Sequence, residues 1–365
     1  MKVVILTCFE SNEERVSFVL KACETRNYEV SVISTDFSHI KKNKRDNIPK
    51  DYKVVKTLEY SSNLSFERMK SHYLFAKDSF KLVEEIKPDL IWLMAPANSL
   101  IKQAHAYKNE YPETKLIIDI IDMWPESLPI NISKNIFPLS IWKNIRAKYL
   151  NCADTLVTEC DFYQDILAKE YSKKIQTIRW CKDKQVTRSK DVVENDKLSL
   201  VYIGSINNII SSELICNVIE NIDMPVTLHV IGEGESRYNF IMQTSKYCEV
   251  IYHGAIRDEK RKKQIFDVCH AGINIYRNNL YIGLTVKCLD YFNHGLPIIN
   301  NIKGDTWQMV DKYNVGINFK QDDKIDGHKL IKMRHNNQNI YDFYQDNLTK
   351  DVFIKKCLEV IDEVL

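Results

Sequence analysis

Short apolar runs alternate with segments of helical periodicity along this chain of 365 residues. Seven runs rich in Val, Ile and Leu lie in the first half, at 3–7, 30–34, 53–57, 89–94, 115–120, 155–159 and 175–178. Six more lie in the second half, at 198–203, 226–231, 249–253, 272–276, 297–300 and 315–319. Strands separated by helical segments are typical of parallel sheets built from βαβ units. We therefore predict an α/β protein.

Two segments carry clear helical signals. Apolar side chains recur at mostly helical spacing over 65–86, and Lys87-Pro88 should end that helix because proline does not continue one. The last segment, 346–365, places apolar residues from Leu348 to Leu365 on one face and predicts a closing helix.

The chain length predicts two domains. A polar, charged stretch at 182–197 interrupts the strand pattern and reads as an exposed connection. We expect an N-terminal Rossmann-like domain at 1–181, closed by the helix at 346–365, and a second at 198–345. The fold class is thus two tandem doubly wound domains facing across a cleft. Such sheets bind ligands at the carboxyl ends of their strands, where the strand order reverses.

Composition excludes several classes of protein. At 44% hydrophobic residues the chain is globular, and because it has neither an 18-residue apolar run nor a secretory-signal pattern we expect a cytoplasmic location. The ten cysteines are dispersed and form no CxxC, as reduced structural thiols do. A net charge of +2 argues against nucleic-acid binding. The chain also lacks the Walker, GxGxxG and HExxH motifs, which excludes P-loop NTPases and most dehydrogenases and makes a dedicated metal site unexpected.

All ten glycines follow residue 203, and several end strands of the second half. Gly204, Gly232, Gly234 and Gly254 each come directly after, or shortly after, an apolar run. A residue without a side chain lets a nucleotide or sugar approach the backbone, and the following helix N-terminus favours phosphate. The alternative is ordinary turn geometry between strand and helix.

The most informative segment is 271–301. A strand leads through a loop to a short helix that should start near Thr285 and stop at Gly295. Lys287 and Asp290 then lie three residues apart on one helical face. The lysine suits a diphosphate, and the carboxylate suits the hydroxyls of a ribose. The alternative is a surface ion pair between the two side chains.

Several motifs of the second half resemble the nucleotide-sugar domain of GT-B glycosyltransferases. They are the run 281–298, VYIGS, HVIGEGE, IYHGAI and YNVGINF, and they are most similar to glycosyltransferase family 4 and its relatives that build bacterial capsules, O-antigens and glycoprotein glycans. The resemblance implies that Lys287 meets the donor diphosphate and that Asp290 replaces the ribose-binding glutamate of the family. It also implies a retaining transfer of a hexose or N-acetylhexosamine from a nucleoside diphosphate sugar, with a UDP-sugar expected, and no metal or other cofactor.

In the first half, IIDMWPES at 120–127 resembles the aspartate-tryptophan-proline segment of many of these enzymes. Asp122 directly follows a strand, so its carboxylate should project into the cleft between the domains. The alternative is an aspartate that caps the turn before Pro125.

Three positions depart from the family pattern. The first glutamate of the family's pair falls on Ile282, the cations that often follow VYIG are missing from GSINNIISSE, and Glu10-Ser11-Asn12 stands where the first loop usually has a glycine pair. Arg179, beside the domain boundary, is the candidate replacement cation.

These arguments define the candidate site. We expect catalytic roles for Asp122 and Lys287. The expected donor contacts are Gly204, Ser205, Arg179, Gly254, Ile256, Tyr276, Thr285, Lys287 and Asp290. The expected contacts on the acceptor side are Ser11, Asn12, Trp124 and Glu126.

The acceptor is expected to be a glycan, a lipid-linked sugar or a glycoprotein. Basic residues at 41–56, and mixed basic and apolar residues at 134–148, suit peripheral contact with the inner face of a membrane. The alternatives are a solvated loop and ordinary core packing. Oligomerisation is left open. Two rival functions stay open as well: a sugar-nucleotide epimerase of the same fold, and a non-catalytic subunit, which the loss of a glutamate at Ile282 would suit.

Overall fold

The structure is a computed structural model, and it describes residues 1–128, 139–182, 196–278 and 280–365. Contacts divide the chain into two compact units. The N-terminal unit comprises Met1–Trp180 and Asp351–Leu365, and the C-terminal unit comprises Cys181–Lys350. Residues 183–195, most of the expected connection, lie outside the described residues.

Strands within the described residues occupy the following positions. They are β1 Lys2–Leu6, β2 Glu29–Thr35, β3 Phe37–Ser38, β4 Asn43–Lys44, β5 Lys53–Val55, β6 Leu90–Ala95, β7 Lys115–Ile120, β8 Thr155–Thr158, β9 Ile175–Thr177, β10 Leu198–Ile203, β11 Val226–Ile231, β12 Glu249–Gly254, β13 Ala271–Asn274, β14 Ile298–Asn300 and β15 Gly316–Asn318.

The α-helices lie between and after these strands. They are α1 Glu13–Thr25, α2 Phe66–Ile86, α3 Asn98–Glu110, α4 Leu139–Tyr149, α5 Asp161–Leu167, α6 Ser212–Glu220, α7 Arg237–Thr244, α8 Glu259–Asp267, α9 Val286–Asn293, α10 Asp305–Tyr313, α11 Gly327–His335, α12 Gln338–Asn347 and α13 Lys350–Val364. Two short 3₁₀ helices cover Glu10–Asn12 and Leu150–Cys152.

The N-terminal unit is built on a parallel sheet with the strand order β5-β2-β1-β6-β7-β8-β9. All six residues of β6 are buried, as expected for a strand covered on both faces. The order reverses between β1 and β6, because β1 pairs with β2 on one side and β6 on the other. All seven strands predicted in this half belong to the sheet.

A buried ion pair ties α1 to this sheet. Arg15 donates from Nε and Nη2 to the two carboxylate oxygens of Asp119 on β7, at 2.8 and 2.9 Å. The indole nitrogen of Trp92 donates to the same carboxylate at 3.1 Å. Both members of the pair have fully buried side chains, so removing one would leave the other as a buried charge without a counter-ion, which destabilises the fold.

The C-terminal unit is built on a second parallel sheet, ordered β12-β11-β10-β13-β14-β15. All six strands predicted in this half are present, and the α/β prediction is confirmed. The strand predicted at 272–276 ends earlier, at Asn274, because the Tyr276 N–H bonds the side-chain oxygen of Asn301 instead of a neighbouring strand. The order reverses between β10 and β13.

The helical predictions are met with shifted ends. The Ser65 hydroxyl accepts a hydrogen bond from the Arg68 N–H and caps α2, and Lys87, at φ 49°, ends it. The closing helix is α13, which begins at Lys350 and not at 346, because α12 extends to Asn347. Phe353 of α13 packs edge-on against Phe18 of α1, with ring centroids 5.3 Å apart.

Three further features follow from the described residues. The antiparallel ribbon β3–β4 was not predicted, since strands of two residues are too short to show a period. No disulfide joins cysteines of the described residues. Among the described helices, none combines the length and the apolar character needed to cross a membrane.

Candidate active site

The reversal of strand order in the C-terminal sheet places a candidate site at the carboxyl ends of β10 and β13. In open α/β sheets the crevice at such a point is where ligands bind. Gly204 directly follows β10, Tyr276 follows β13, and Thr285 precedes α9. The structure thus brings three predicted donor contacts to one edge of one sheet.

Lys287, in the first turn of α9, is the central side chain of this edge. The residue is only 7% exposed, and its Nζ has no hydrogen-bond partner among the described residues. The ammonium lies over the rings of Tyr202 and Tyr276, 4.1 and 4.5 Å from their centroids. These rings attract a cation but do not neutralise it.

Burial lowers the pKa of Lys287 from its ordinary value of 10.5 to about 7. A buried ammonium without a carboxylate is unfavourable, and an anion bound beside it would reverse the shift. Space for an anion exists nearby: a Cβ added to Gly204 would meet only the Lys287 Cε at 3.8 Å and the Tyr202 hydroxyl at 3.9 Å. The geometry therefore suits an anionic group.

Asp290 does not pair with Lys287, so the surface ion pair considered as an alternative is wrong. Its carboxylate accepts from Lys182 Nζ at 2.5 Å and from Lys262 Nζ at 3.1 Å. Burial alone would raise the pKa of Asp290, but these two lysines hold it below its ordinary value. The carboxylate is thus already engaged within the protein, and a contact with ribose stays a prediction.

The glycines after the strands serve two different purposes. A Cβ on Gly232 would lie 1.9 Å from the Gly204 carbonyl oxygen, and one on Gly234 would lie 2.2 Å from that of Ile206. These two glycines allow close packing of backbone on backbone, which is the turn-geometry alternative. At Gly204 and Gly254 an added Cβ would instead make ordinary contacts, at 3.8 Å or more, and Gly254, at φ 71°, is half-buried. Only these two keep the ligand-lining interpretation.

A ladder of asparagine side chains fixes the start of α9. The Thr285 hydroxyl donates to the side-chain oxygen of Asn274 at 2.7 Å. The Asn274 amide donates to Asn300, and the Asn300 amide donates to Asn318, each at 2.8 Å. The sequence analysis missed this network, although an asparagine at the end of each of three adjacent strands was a usable signal. Thr285 thus positions α9, and its contact with a donor stays a prediction.

Two other predicted donor contacts lie at this end of the C-terminal sheet. Ser205 is exposed, and its carbonyl oxygen accepts from the Tyr202 hydroxyl at 2.7 Å. Ile256 is half-buried in the loop after β12. Arg179 is different, because it belongs to the N-terminal unit, where its Nη2 pairs with Asp161 of α5. That pairing was not foreseen, and a role for Arg179 as the replacement cation stays a prediction.

Asp122, in the N-terminal unit, follows β7 as predicted. Burial raises the pKa of its carboxyl group, and hydrogen bonds from the Ser127 side chain and the Met123 N–H partly offset the rise. The carboxylate therefore stabilises the turn before Pro125, which is the capping alternative. A catalytic role for Asp122 is not tested by this geometry.

Glu159, which follows the neighbouring strand β8, was missed. Burial first, and then the charge of Asp122, raise the pKa of its carboxyl group to about 8. The Trp180 indole nitrogen donates to it at 2.5 Å. Two carboxyl groups with raised pKa values thus end adjacent strands, and the pairing of β7 with β8, which links them, is not visible in the sequence.

The predicted acceptor contacts have mixed surroundings. Ser11 is exposed, whereas Asn12 is buried and donates to the Thr7 hydroxyl at 3.2 Å. Glu126 is buried and accepts from both terminal nitrogens of Arg146, at 2.7 and 2.9 Å. This ion pair was not foreseen and gives Glu126 a structural role. Trp124 is 9% exposed.

Contacts within the N-terminal unit account for some of the residues in the two segments proposed for membrane contact. Lys44 pairs with Asp36 and Arg45 with Glu13, so part of the charge at 41–56 is compensated inside the N-terminal unit. In the second segment, residues 134–138 lie outside the described residues, and Trp142 is buried as core packing requires.

In the described part of the chain, no three His, Cys, Asp or Glu side chains come together as a metal site would require.

Comparison with known proteins settles the fold. No protein-family model matches the chain, and no match was found among curated protein sequences. Many solved structures resemble it, among them three that do so along its whole length. They are sucrose-phosphate synthase from Thermosynechococcus elongatus (TM-score 0.71, 9% identity, 100% of this chain and 98% of that one), HepE from Anabaena in complex with UDP (0.66, 10%, 100% of both) and the UDP-GlcNAc 2-epimerase from Methanocaldococcus jannaschii (0.56, 11%, 100% of both).

The chain has the GT-B fold, as predicted. Identities of this order establish the fold alone, and the three similar structures include both transferase and epimerase names. Membership of glycosyltransferase family 4 stays a prediction.

Proposed function

We propose that this protein is a glycosyltransferase that binds a UDP-sugar through its C-terminal unit and transfers a hexose or N-acetylhexosamine to a hydroxyl group. The observation that carries the proposal is Lys287, a buried ammonium at the reversal point of the sheet that has no counter-ion in the part of the chain that the structure describes. A donor diphosphate supplies the missing negative charge. The UDP complex of HepE, which shares this fold, supports uridine as the base.

The proposed chemistry depends on stabilising the departing diphosphate. As the bond between the sugar and the diphosphate breaks, negative charge grows on the leaving oxygen, and fixed positive groups lower the barrier. The Lys287 ammonium is one such group. The N–H groups of Val286 and Lys287, the first two residues of α9, are a second, because the first N–H groups of a helix have no carbonyl one turn earlier to bind. We expect these groups to act without a metal ion, and we expect retention of anomeric configuration, as the family resemblance implies.

In the N-terminal unit we propose that Asp122 orients the acceptor or the transferred sugar. The carboxylate is half-buried, and Trp124 follows two residues later. The acceptor is a glycan, a lipid-linked sugar or a glycoprotein. Contact with a membrane through 41–56 or 134–148 is a further part of the proposal.

Thermal-shift screening against nucleoside diphosphate sugars tests the donor site. A ligand at 100 times its Kd adds about 2.7 kcal/mol of stability, so we expect UDP and UDP-sugars to raise the melting temperature of the wild type. Lys287→Met, which keeps the aliphatic stem, should abolish the shift. Lys260→Met, which removes an exposed lysine from α8, is the matched control and should keep it.

A wild type that no nucleotide sugar stabilises would contradict the proposal and favour a non-catalytic subunit. A shift that Lys287→Met retains in full would leave a nucleotide site but remove Lys287 from it.

The second candidate function is a sugar-nucleotide epimerase, which the similarity to a UDP-GlcNAc 2-epimerase favours. An epimerase needs no acceptor. Incubation of the protein with each stabilising UDP-sugar, followed by NMR of the nucleotide sugar, separates the two functions. An isomeric nucleotide sugar formed without acceptor would establish the epimerase, whereas release of UDP together with a glycoside of an added acceptor would support transfer.

A further inference from the structure

A cluster of aromatic and basic side chains in the N-terminal unit is not explained by the proposed donor site. We call it the Arg68 cluster. Its members are Phe9, Tyr60, Arg68, His72, Trp124 and Trp142. Two of them follow strands of the sheet, Phe9 after β1 and Trp124 after β7. The cluster therefore includes residues from the edge of the sheet at which doubly wound folds bind ligands.

Arg68 is a buried guanidinium without a carboxylate partner among the described residues. The residue is 4% exposed, its Nη1 donates to the Asn63 carbonyl oxygen at 2.8 Å, and its Nε has no partner. Its central carbon stacks 3.7 Å from the Trp124 ring centroid. The buried Arg15 and Arg146 differ, because each binds a carboxylate with two nitrogens.

The remaining charges near Arg68 do not neutralise it. Burial lowers the pKa of Arg68 to about 10, and Tyr60, Cys8 and Asp122 only partly offset this effect. The guanidinium therefore stays charged at neutral pH. A second cation, Lys42, lies over the Tyr60 ring at 4.9 Å. The unpaired positive charge is a costly feature that a bound anion would explain.

Three further buried nitrogens of the cluster also have no hydrogen-bond partner within residues 1–128, 139–182, 196–278 and 280–365. They are Nδ1 and Nε2 of His72 and Nε1 of Trp142. The two rings are neighbours, with centroids 5.7 Å apart, and His72 lies one helical turn after Arg68 on α2. Buried donors are nearly always satisfied in native proteins, so a concentration of unsatisfied ones indicates a missing ligand or water.

We propose that the Arg68 cluster binds an anionic group of the acceptor, a carboxylate or a phosphate carried on a sugar ring. Arg68 and the indole N–H of Trp142 donate to the anion, and the indole faces of Trp124 and Trp142 contact the apolar face of the ring. A guanidinium fork matches both anions. The cluster itself is independent of the donor site, and only the identification of its ligand as the acceptor rests on the proposed function.

Titration calorimetry with D-glucuronate, D-glucose 1-phosphate and D-glucose tests the cluster, and the first two probes distinguish carboxylate from phosphate. The protein carries Lys287→Met, which removes the buried cation of the C-terminal unit. We expect at least one anionic probe to bind and glucose not to bind. Arg68→Gln should weaken that binding at least tenfold. Lys70→Gln, an exposed lysine on the same helix, is the matched control and should change it less than twofold.

A second variant guards against a folding defect in Arg68→Gln. Trp142→Phe keeps an aromatic ring at this position but removes the pyrrole ring with its N–H, and it should weaken the same probe severalfold. Binding of glucose as tight as that of the anions, binding of none of the three probes, or equal affinity in Arg68→Gln would each overturn the proposal. Because UDP binding is measured separately by thermal shift, a failure of the donor site is recognised independently.

Discussion

Donor binding should take up a proton through Lys287, and the uptake can be worked out from its surroundings. Burial holds the pKa of this lysine at about 7 in the free protein. A diphosphate beside the ammonium favours the charged form and raises the pKa again. At pH 8 the free lysine is mostly neutral, so each binding event should take up about 0.9 proton if the complex restores the ordinary pKa.

The sign of the pH dependence follows from the same shift. Affinity is greatest below the free pKa and falls as pH rises through it, because the free protein must first be protonated. We expect the affinity for UDP-glucose to fall about fivefold between pH 7 and pH 8. The uptake should drop to about 0.5 proton at pH 7 and to about 0.1 at pH 6.

Titration calorimetry in Hepes and in Tris measures this uptake, since the two buffers release different heats with each proton they give up. Lys287→Met should bind weakly and take up no proton, whereas Lys260→Met should behave as the wild type. Binding of the wild type at pH 8 without proton uptake would refute the reasoning, because Lys287 would then be either charged already or remote from the donor.

Four further variants test the packing and the ion pairs of the two units. Asp119→Asn should lower the free energy of unfolding by about 3–5 kcal/mol in denaturant titration, because it strands the buried charge of Arg15, and a loss below about 1 kcal/mol would contradict this. Gly232→Ala should destabilise the protein by about 3 kcal/mol or more, since its Cβ would overlap a carbonyl oxygen. Gly254→Ala should cost only about 1–2 kcal/mol, because only its backbone conformation opposes a side chain. Scanning calorimetry compares the two variants, and equal losses of stability would count against the different roles given to these glycines. Asp290→Asn should lower the melting temperature by removing the partner of two lysines, and an unchanged melting temperature would argue against that role. If Asp290→Asn also weakens the binding of UDP but not that of pyrophosphate, the contact between Asp290 and the ribose is established.

The strands could be predicted because each one is encoded by a local pattern of apolar residues. Buried parallel strands are continuous apolar runs, so every predicted run became a strand, with ends shifted by a few residues at most. The position of Lys287 was predictable for the same reason. Thr285 before the helix and Gly295 after it fix the ends of α9, and the lysine must then lie in its first turn.

The partners of the polar side chains could not be predicted, since they are distant in sequence. Asp290 meets Lys182, 108 residues away, and Arg15 meets Asp119, 104 residues away. Only the sheet topology brings such groups together. For the same reason, no sequence pattern showed that Arg68 has no carboxylate partner among the described residues.

The rate of UDP release tests the central claim most directly, that Lys287 stabilises the departing diphosphate of a sugar donor. It should be measured with the UDP-sugar that stabilises the wild type most and with a mixture of glycan acceptors, whose hydroxyl groups take up the sugar, for the wild type, Lys287→Met and Lys260→Met. We predict that Lys287→Met lowers kcat/KM at least about a hundredfold, as the loss of one preorganised charge does elsewhere, while Lys260→Met stays within about twofold of the wild type. Turnover by Lys287→Met near the wild-type rate, or no UDP release by the wild type with any pair of donor and acceptor, would contradict the account.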